Sequence, residues 1–310
     1  MENTVAPAGR EQASLSAFAA LVGRPNVGKS SLLNAIVGRK VAIVSDKPQT
    51  TRTRIMGVLT RNETQLVFLD TPGNHRPRTR LGDFMVQSIG EAVSGVDVGM
   101  LVTEPGETPR EAELALLEQF KKTGLPAVLV LNKTDLLEDK SALLPCIAAW
   151  KEQYDFSAIL PVSALTGEGV DELIAVLSGF AFESPHFFPD DAVSDQPEQV
   201  LAAELIREQM LLLLRQEIPH GIAVAVESMK ERETDSGTIL DIDAIIYCER
   251  DSHKGMVIGK RGAMLKEIAS RARAEMEALF GVRVNLQCWV KVKEDWRNRQ
   301  GFLGSLGYKI

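Results

Sequence analysis

The residues Gly23-Arg24-Pro25-Asn26-Val27-Gly28-Lys29-Ser30, with Ser31 behind them, have the spacing of a phosphate cradle. Two glycines let successive backbone N–H groups face an anion without an obstructing side chain. Lys29 is placed to reach terminal phosphates, and the Ser30 hydroxyl to hold magnesium. The chemistry this pattern serves is phosphoryl transfer, which runs on positioning and electrostatics rather than covalent catalysis.

Two further clusters extend it. Asp70-Thr71-Pro72-Gly73 follows an apolar run at forty residues' remove. There a carboxylate is placed to assist the metal, and the Gly73 amide to contact a γ-phosphate that hydrolysis removes. Asn132-Lys133-Thr134-Asp135 speaks to the base. Asp135 can accept from both the ring N–H and the exocyclic amine of guanine, a pair that adenine does not present. Leaving that acceptor unpaired costs about 1–3 kcal/mol, so discrimination is sharp. Asn132 and the stem of Lys133 are expected to brace the ring, and Ser163-Ala164-Leu165 to offer a backbone N–H to the guanine carbonyl oxygen.

A fourth cluster is of another kind. Gly259-Lys260-Arg261-Gly262 is a Gly-x-x-Gly loop filled with two cations, and Lys266 follows in the next segment. Such a loop clamps the backbone of about four nucleotides while their bases lie along an apolar groove.

The elements that must carry these groups are legible from periodicity. Phe18–Val22 reads as a strand, the phosphate cradle as its turn, and Ser31–Val37 as a helix closed by Gly38. Residues 39–54 have five basic side chains and little periodicity, and read as a long mobile loop. Strands at 55–60 and 65–69 surround a polar turn. Strands at 96–102, 127–131 and 158–162 then alternate with helices at 109–122 and 168–177. The fold class is α/β: a doubly wound sheet with its ligand groups at the carboxyl ends of strands. Residues 183–197 hold prolines and acids without periodicity and read as a linker. Beyond it come an amphipathic helix at 198–217, strands at 221–229 and 238–248, the Gly-x-x-Gly loop, a helix and a final strand at 282–292. That order is a smaller α+β domain of the type II KH kind. The division expected is a flexible tail over 1–15, a nucleotide domain over 16–182, the linker, and an RNA-binding domain over 198–310.

Composition agrees with two globular domains: 310 residues, 45% hydrophobic and 25% charged. The net charge of −7 argues against a simple nucleic-acid binder. It is unevenly placed, however: residues 250–310 carry 13 Lys and Arg against 6 Asp and Glu. A basic C-terminal segment on an acidic chain suits docking on phosphate. Cys146, Cys248 and Cys288 have neither disulfide nor metal spacing and read as reduced thiols of a cytoplasmic protein. The first sixteen residues lack the apolar core of a signal peptide.

Taken together with Pro48-Gln49-Thr50-Thr51, Val257-Ile258 ahead of the Gly-x-x-Gly loop, Trp289-Val290-Lys291-Val292-Lys293 and Leu306-Gly307-Tyr308, these motifs resemble the Era-type GTPases over about residues 16–310. The resemblance implies a magnesium-dependent GTPase that assists assembly of the small ribosomal subunit and binds its ribosomal RNA near the 3′ end. It also implies a monomer and peripheral association with the cytoplasmic face of the cell membrane, which nothing in the residues shows. An effector-loop threonine is implied as magnesium ligand, either Thr50 or Thr51, with Thr51 favoured by motif position. Asn26 is implied as part of a potassium site that activates hydrolysis. The chain departs from the family at Ser31, usually threonine, and at Asn74, usually apolar; Asn74 carries an amide where many GTPases place a water-orienting glutamine. Two other functions fit parts of the pattern: a constitutive RNA-binding module whose nucleotide is only structural, and an ATPase, which the Asn132-Lys133-x-Asp135 pattern disfavours.

Overall fold

The computed structural model describes residues 13–47, 49–72, 79–81, 83, 85, 91–92, 95–106, 109–214, 221–235 and 237–308. Most of the expected tail, together with Gly73, Asn74 and the 215–217 end of the expected amphipathic helix, lies outside them.

The N-terminal domain is a sheet ordered β2-β3-β1-β4-β5-β6. Its strands are β1 (Leu15–Val22), β2 (Ile55–Arg61), β3 (Thr64–Asp70), β4 (Val98–Thr103), β5 (Ala127–Leu131) and β6 (Ala158–Pro161). Only β2 runs antiparallel to its neighbour in that order. β4 and β5 are buried along their whole length, because helices cover both faces of the sheet. One face carries α1 (Lys29–Val37) and α4 (Val170–Ser178) on Leu21, Phe68, Met100 and Val130. The other carries α2 (Glu111–Thr123) and α3 (Leu143–Lys151) on Val22, Leu101, Leu129 and Leu131. The loops after β1, β3, β5 and β6 therefore open at one edge.

Residues 183–197 are strapped to this domain. Phe182–Glu183 forms β7, antiparallel to the start of β1. Gln65 Oε1 accepts from the Phe187 and Phe188 amides at 2.8 and 3.0 Å, and Val58 N–H donates to Val193 O at 3.0 Å. Attachment through single side-chain and backbone bonds leaves no periodicity to read.

The C-terminal domain packs α5 (Glu198–Leu213), α6 (Asp251–Ile258) and α7 (Ala263–Phe280) on one face of a sheet ordered β10-β9-β8. Its strands are β8 (Ile222–Thr234), β9 (Gly237–Cys248) and β10 (Arg283–Val292), with β10 parallel to β9. β8 runs five residues past the expected end at Met229. The extension is zipped by Arg232 Nε to Asp241 at 2.7 Å and by Thr238 to Glu233 at 3.0 Å. On α5 the polar residues Arg207, Glu208 and Gln209 are buried, whereas Val200, expected on the apolar side, is exposed. The reason is a second packing partner. Loop 39–54 of the first domain lies against the helix, and a short α8 (Gln300–Ser305) helps bring Trp296, Leu303 and Tyr308 onto Leu81 and Met85.

Candidate nucleotide and RNA sites

The phosphate loop leaves β1 at Gly23, whose φ is +148°, and enters α1 at Gly28, φ +90°. A Cβ on Gly23 would stand 2.3 Å from Val102 O, and one on Gly28 2.3 Å from Asn132 Nδ2. Both glycines thus permit the loop to sit against its neighbours as well as to face an anion. Lys29 is buried and donates to Gly23 O at 3.0 Å and Arg24 O at 2.9 Å. Burial pushes its ammonium down to about 8, against the pull of Asp70. Arg24 turns away from the loop's concave side: its Nε meets the buried Glu113 at 2.9 Å, which also receives Thr103 and the Arg110 amide. Val27 is buried and Pro25, Asn26 and Ser31 line a cleft of about 290 Å³ with Lys29, Ser30, Thr51 and Lys133.

Three oxygen-bearing side chains meet beside that cleft. Ser30 Oγ donates to Asp70 Oδ2 at 2.7 Å and lies 2.8 Å from Thr51 Oγ1. Asp70 is fully buried and its Oδ1 has no hydrogen-bond partner among the described residues. Burial pushes its carboxyl up to about 6. Two hydroxyls and a carboxylate with an orphaned oxygen are a hard, all-oxygen set that fits magnesium. Thr50 stands apart: its hydroxyl donates to Lys47 O at 2.6 Å and lies 2.7 Å from Ser45 Oγ. The structure thus joins Thr51, and not Thr50, to Ser30 and Asp70. Thr71 anchors the end of β3 by donating to Leu21 O at 2.7 Å, and Pro72 follows it, buried.

At the base end, Ser163 Oγ donates to Asp135 Oδ1 at 2.6 Å and leaves the rest of this exposed carboxylate outward. Asn132 ties loops together instead of lying free to brace a ring. Its Nδ2 donates to Val27 O at 2.9 Å and its Oδ1 accepts from the Ala164 amide at 3.1 Å. One side chain thereby joins the phosphate loop to Ser163-Ala164-Leu165. Lys133 has φ +68° and pairs with Glu104, which stretches its stem across the site. Thr134 is buried with its amide on Val162 O at 3.2 Å, and Leu165 is exposed.

Sequence reasoning missed four supporting residues: Glu104, Glu113, Asn34 and Asp46. Asn34 holds the Val41 and Ala42 amides at 2.9 Å each, which pins the start of a loop expected to be mobile. Asp46 O accepts from Asn26 Nδ2 at 2.7 Å. None carries a local signal, because each acts on a partner from another segment.

The same loop meets the second domain. Lys40 pairs with Glu208 at 2.5 Å and with Glu275, and the Val44 amide donates to Glu208 Oε1 at 2.8 Å. Arg207 donates to Thr50 O. Arg52 is buried, donates to Ile222 O at 2.6 Å and lies 5.6 Å over the Trp296 ring. The contacts on Thr50 and Arg52 flank the candidate metal ligand Thr51.

In the C-terminal domain the Gly-x-x-Gly loop joins α6 to α7. Lys260, Arg261 and Lys266 are exposed and make no ion pair among the described residues, unlike Arg271 with Glu267 at 2.7 Å. The two glycines differ. A Cβ on Gly259 would stand 2.6 Å from Met264 Cβ, whereas one on Gly262 would meet open space. Gly259 thus serves the turn itself, and Gly262 is the glycine that leaves room for an approaching chain.

Comparison with known proteins bears on both domains. A family model described as a 50S ribosome-binding GTPase matches residues 18–133, and one described as a KH domain matches residues 217–297. GTPase Era of Clostridioides difficile is 48% identical over 293 residues, covering 94% of this chain and 98% of that one. Its counterpart in Ruminiclostridium cellulolyticum is 48% identical over 294 residues, covering 95% and 97%. An Aquifex aeolicus Era variant bound to GDP and aluminium fluoride superposes with a TM-score of 0.90 at 37% identity, over 96% of this chain and 100% of that one. The same TM-score and identity describe an Era in complex with MgGDPNP and nucleotides 1506–1542 of 16S ribosomal RNA, again over 96% and 100%. With a relative this similar along nearly its whole length, the chain belongs to the Era family of GTPases.

Proposed function

We propose that this chain binds and hydrolyses GTP in the cleft beside Lys29 and uses its KH domain to hold small-subunit ribosomal RNA near the 3′ end, as an assembly factor. The observation that carries the reading is the meeting of Ser30 and Asp70, whose other oxygen is orphaned, with Thr51, which lies on the loop that also touches the second domain. Ser30, Thr51 and Asp70 would hold magnesium, which when bound neutralises charge on the phosphates. Lys29 and the loop amides orient the terminal phosphates, the Gly73 amide contacts the γ-phosphate, and Asp135 accepts from the guanine edge. Asn26, whose Nδ2 donates to Asp46 O, would offer its Oδ1 to a potassium ion that supplies positive charge beside the phosphates. A shift of Thr51 with nucleotide state moves Thr50 and Arg52 with it, and so alters contacts on α5, β8 and Trp296. RNA affinity then follows the nucleotide. Lys260, Arg261 and Lys266 supply the charge at the RNA backbone, and Gly259 and Gly262 the loop that presents it. No helix among the described residues is long and apolar enough to cross a membrane. We place the protein in the cytoplasm as a monomer, with any membrane association peripheral.

The test measures affinity for RNA of nucleotides 1506–1542 of 16S ribosomal RNA with a non-hydrolysable GTP analogue against GDP. It is run on the native protein and on Asp135→Asn. The native protein should bind RNA differently in the two states. The variant should lose the effect of the guanosine analogue and regain it with the xanthosine counterpart, whose edge complements the new amide. Equal RNA affinity in both states would remove the coupling, and equal response to adenosine and guanosine analogues would remove the base assignment.

A further inference from the structure

Of the three tryptophans, Trp150 and Trp296 are fully buried, while Trp289 is 46% exposed. Trp296 has structural work: its Nε1–H donates to Gly221 O at 3.0 Å and Arg52 covers its face. Trp289 has no ring or cation contact of the kind seen at Trp296 and Phe302 among the described residues. It stands on β10, the edge strand of the C-terminal sheet. Along β10 Val284, Leu286, Cys288 and Val290 face the helices. Arg283, Asn285, Gln287, Trp289 and Lys291 alternate with them on the far side, all exposed. Two cations, two amides and a tryptophan make this outward row, and it contains no acid.

The neighbouring strand does carry acids on that side, Asp241 and Asp243, in register with Asn285 and Gln287. Asp241 is already held by Arg232 at 2.7 Å and by Asn285 at 2.8 Å. Trp289 itself lies in register with Ile245. A large exposed aromatic on an open sheet edge invites unwanted association unless something covers it. The surrounding charge selects what that is. Aromatic faces interleaved with cations and amides stack single-stranded bases while the cations meet phosphate. α6 and α7, which bear the Gly-x-x-Gly loop between them, both pack against this same strand.

We propose that Trp289 is a base-stacking platform for single-stranded RNA that crosses the β10 edge after leaving the Gly-x-x-Gly clamp, an extension of the RNA site onto the opposite face of the sheet. The inference rests on the RNA reading above. It gives the bound strand a second contact whose strength comes from stacking rather than charge.

The experiment titrates native protein, Trp289→Ala, Trp289→Phe and Gly262→Asp with the same 16S fragment, following tryptophan fluorescence and affinity at several salt concentrations. The two other tryptophans are buried, so saturating RNA should quench native fluorescence, and the quenching should vanish in Trp289→Phe. Trp289→Ala should weaken binding about tenfold, Trp289→Phe only about twofold, and neither should change the dependence on salt, because stacking releases no counterions. GTP hydrolysis without RNA should match the native rate in both. Native affinity and salt dependence in Trp289→Ala, with binding lost in Gly262→Asp, would overturn the platform while leaving the RNA reading intact. Native affinity in every variant would overturn the RNA reading itself.

Discussion

Replacing Gly259 and Gly262 by alanine, one at a time, separates two roles that the Gly-x-x-Gly pattern runs together. Gly259 has φ 70° and ψ 177°, a region that essentially only glycine occupies, at a cost of about 1–3 kcal/mol to any other residue. An added Cβ would also stand 2.6 Å from Met264 Cβ and 2.9 Å from Met264 N. The second of these is backbone at the start of α7 and cannot swing aside. Overpacking of that kind costs about 1–3 kcal/mol more, so Gly259→Ala should lose about 2–6 kcal/mol locally. Gly262 has φ 80° and ψ 7°, and its Cβ would meet nothing within 4 Å, which leaves the left-handed cost of about 1–2 kcal/mol alone. The midpoints differ by about 2.5 kcal/mol, roughly a 70-fold change in the opening equilibrium of the α6–α7 turn. Hydrogen exchange of amides in α6 and the first turns of α7 reads that ratio. Exchange should be much faster in Gly259→Ala than in Gly262→Ala, with GTP turnover in the absence of RNA unchanged in both. Equal protection in the two variants would refute the assignment of Gly259 to the turn and return both glycines to the same role.

Two further outcomes are expected. If Asn26 helps hold potassium, hydrolysis should run faster in potassium than in sodium, and Asn26→Ala should erase the difference; identical native turnover in both salts removes Asn26 from the mechanism. Burial pushes the Cys288 thiol up to about 12 and Cys248 to about 11, from an ordinary value of 9.0. At pH 8 the Cys288 thiolate is then about a thousandfold scarcer than that of a free cysteine, so iodoacetamide should label it slowly in the native protein and quickly in urea. Rapid native labelling at pH 8 would show that the helices it faces do not shield the thiol.

The nucleotide loop, the base-selecting Asn132-Lys133-x-Asp135 and the Gly-x-x-Gly turn could all be read from the chain, because each is a contiguous run whose backbone conformation and chemistry are set by the residues inside it. Periodicity likewise located most strands and helices, since burial on a doubly covered sheet leaves long apolar runs. Other features depended on how the chain packs in three dimensions. Thr50 and Thr51 are equivalent as neighbours in sequence; only folding places one hydroxyl against Ser30 and the other against Lys47 O. Arg24 lies within the phosphate motif yet is drawn to Glu113, and Asn132 is committed to loops on either side of it. α5 shows one apolar side in sequence but buries its polar residues too, because loop 39–54 reaches it from the other domain. Residue type and spacing determine which chemistry is available. Which atom faces which is decided where separate segments of the chain pack together, and that packing leaves no period in the chain.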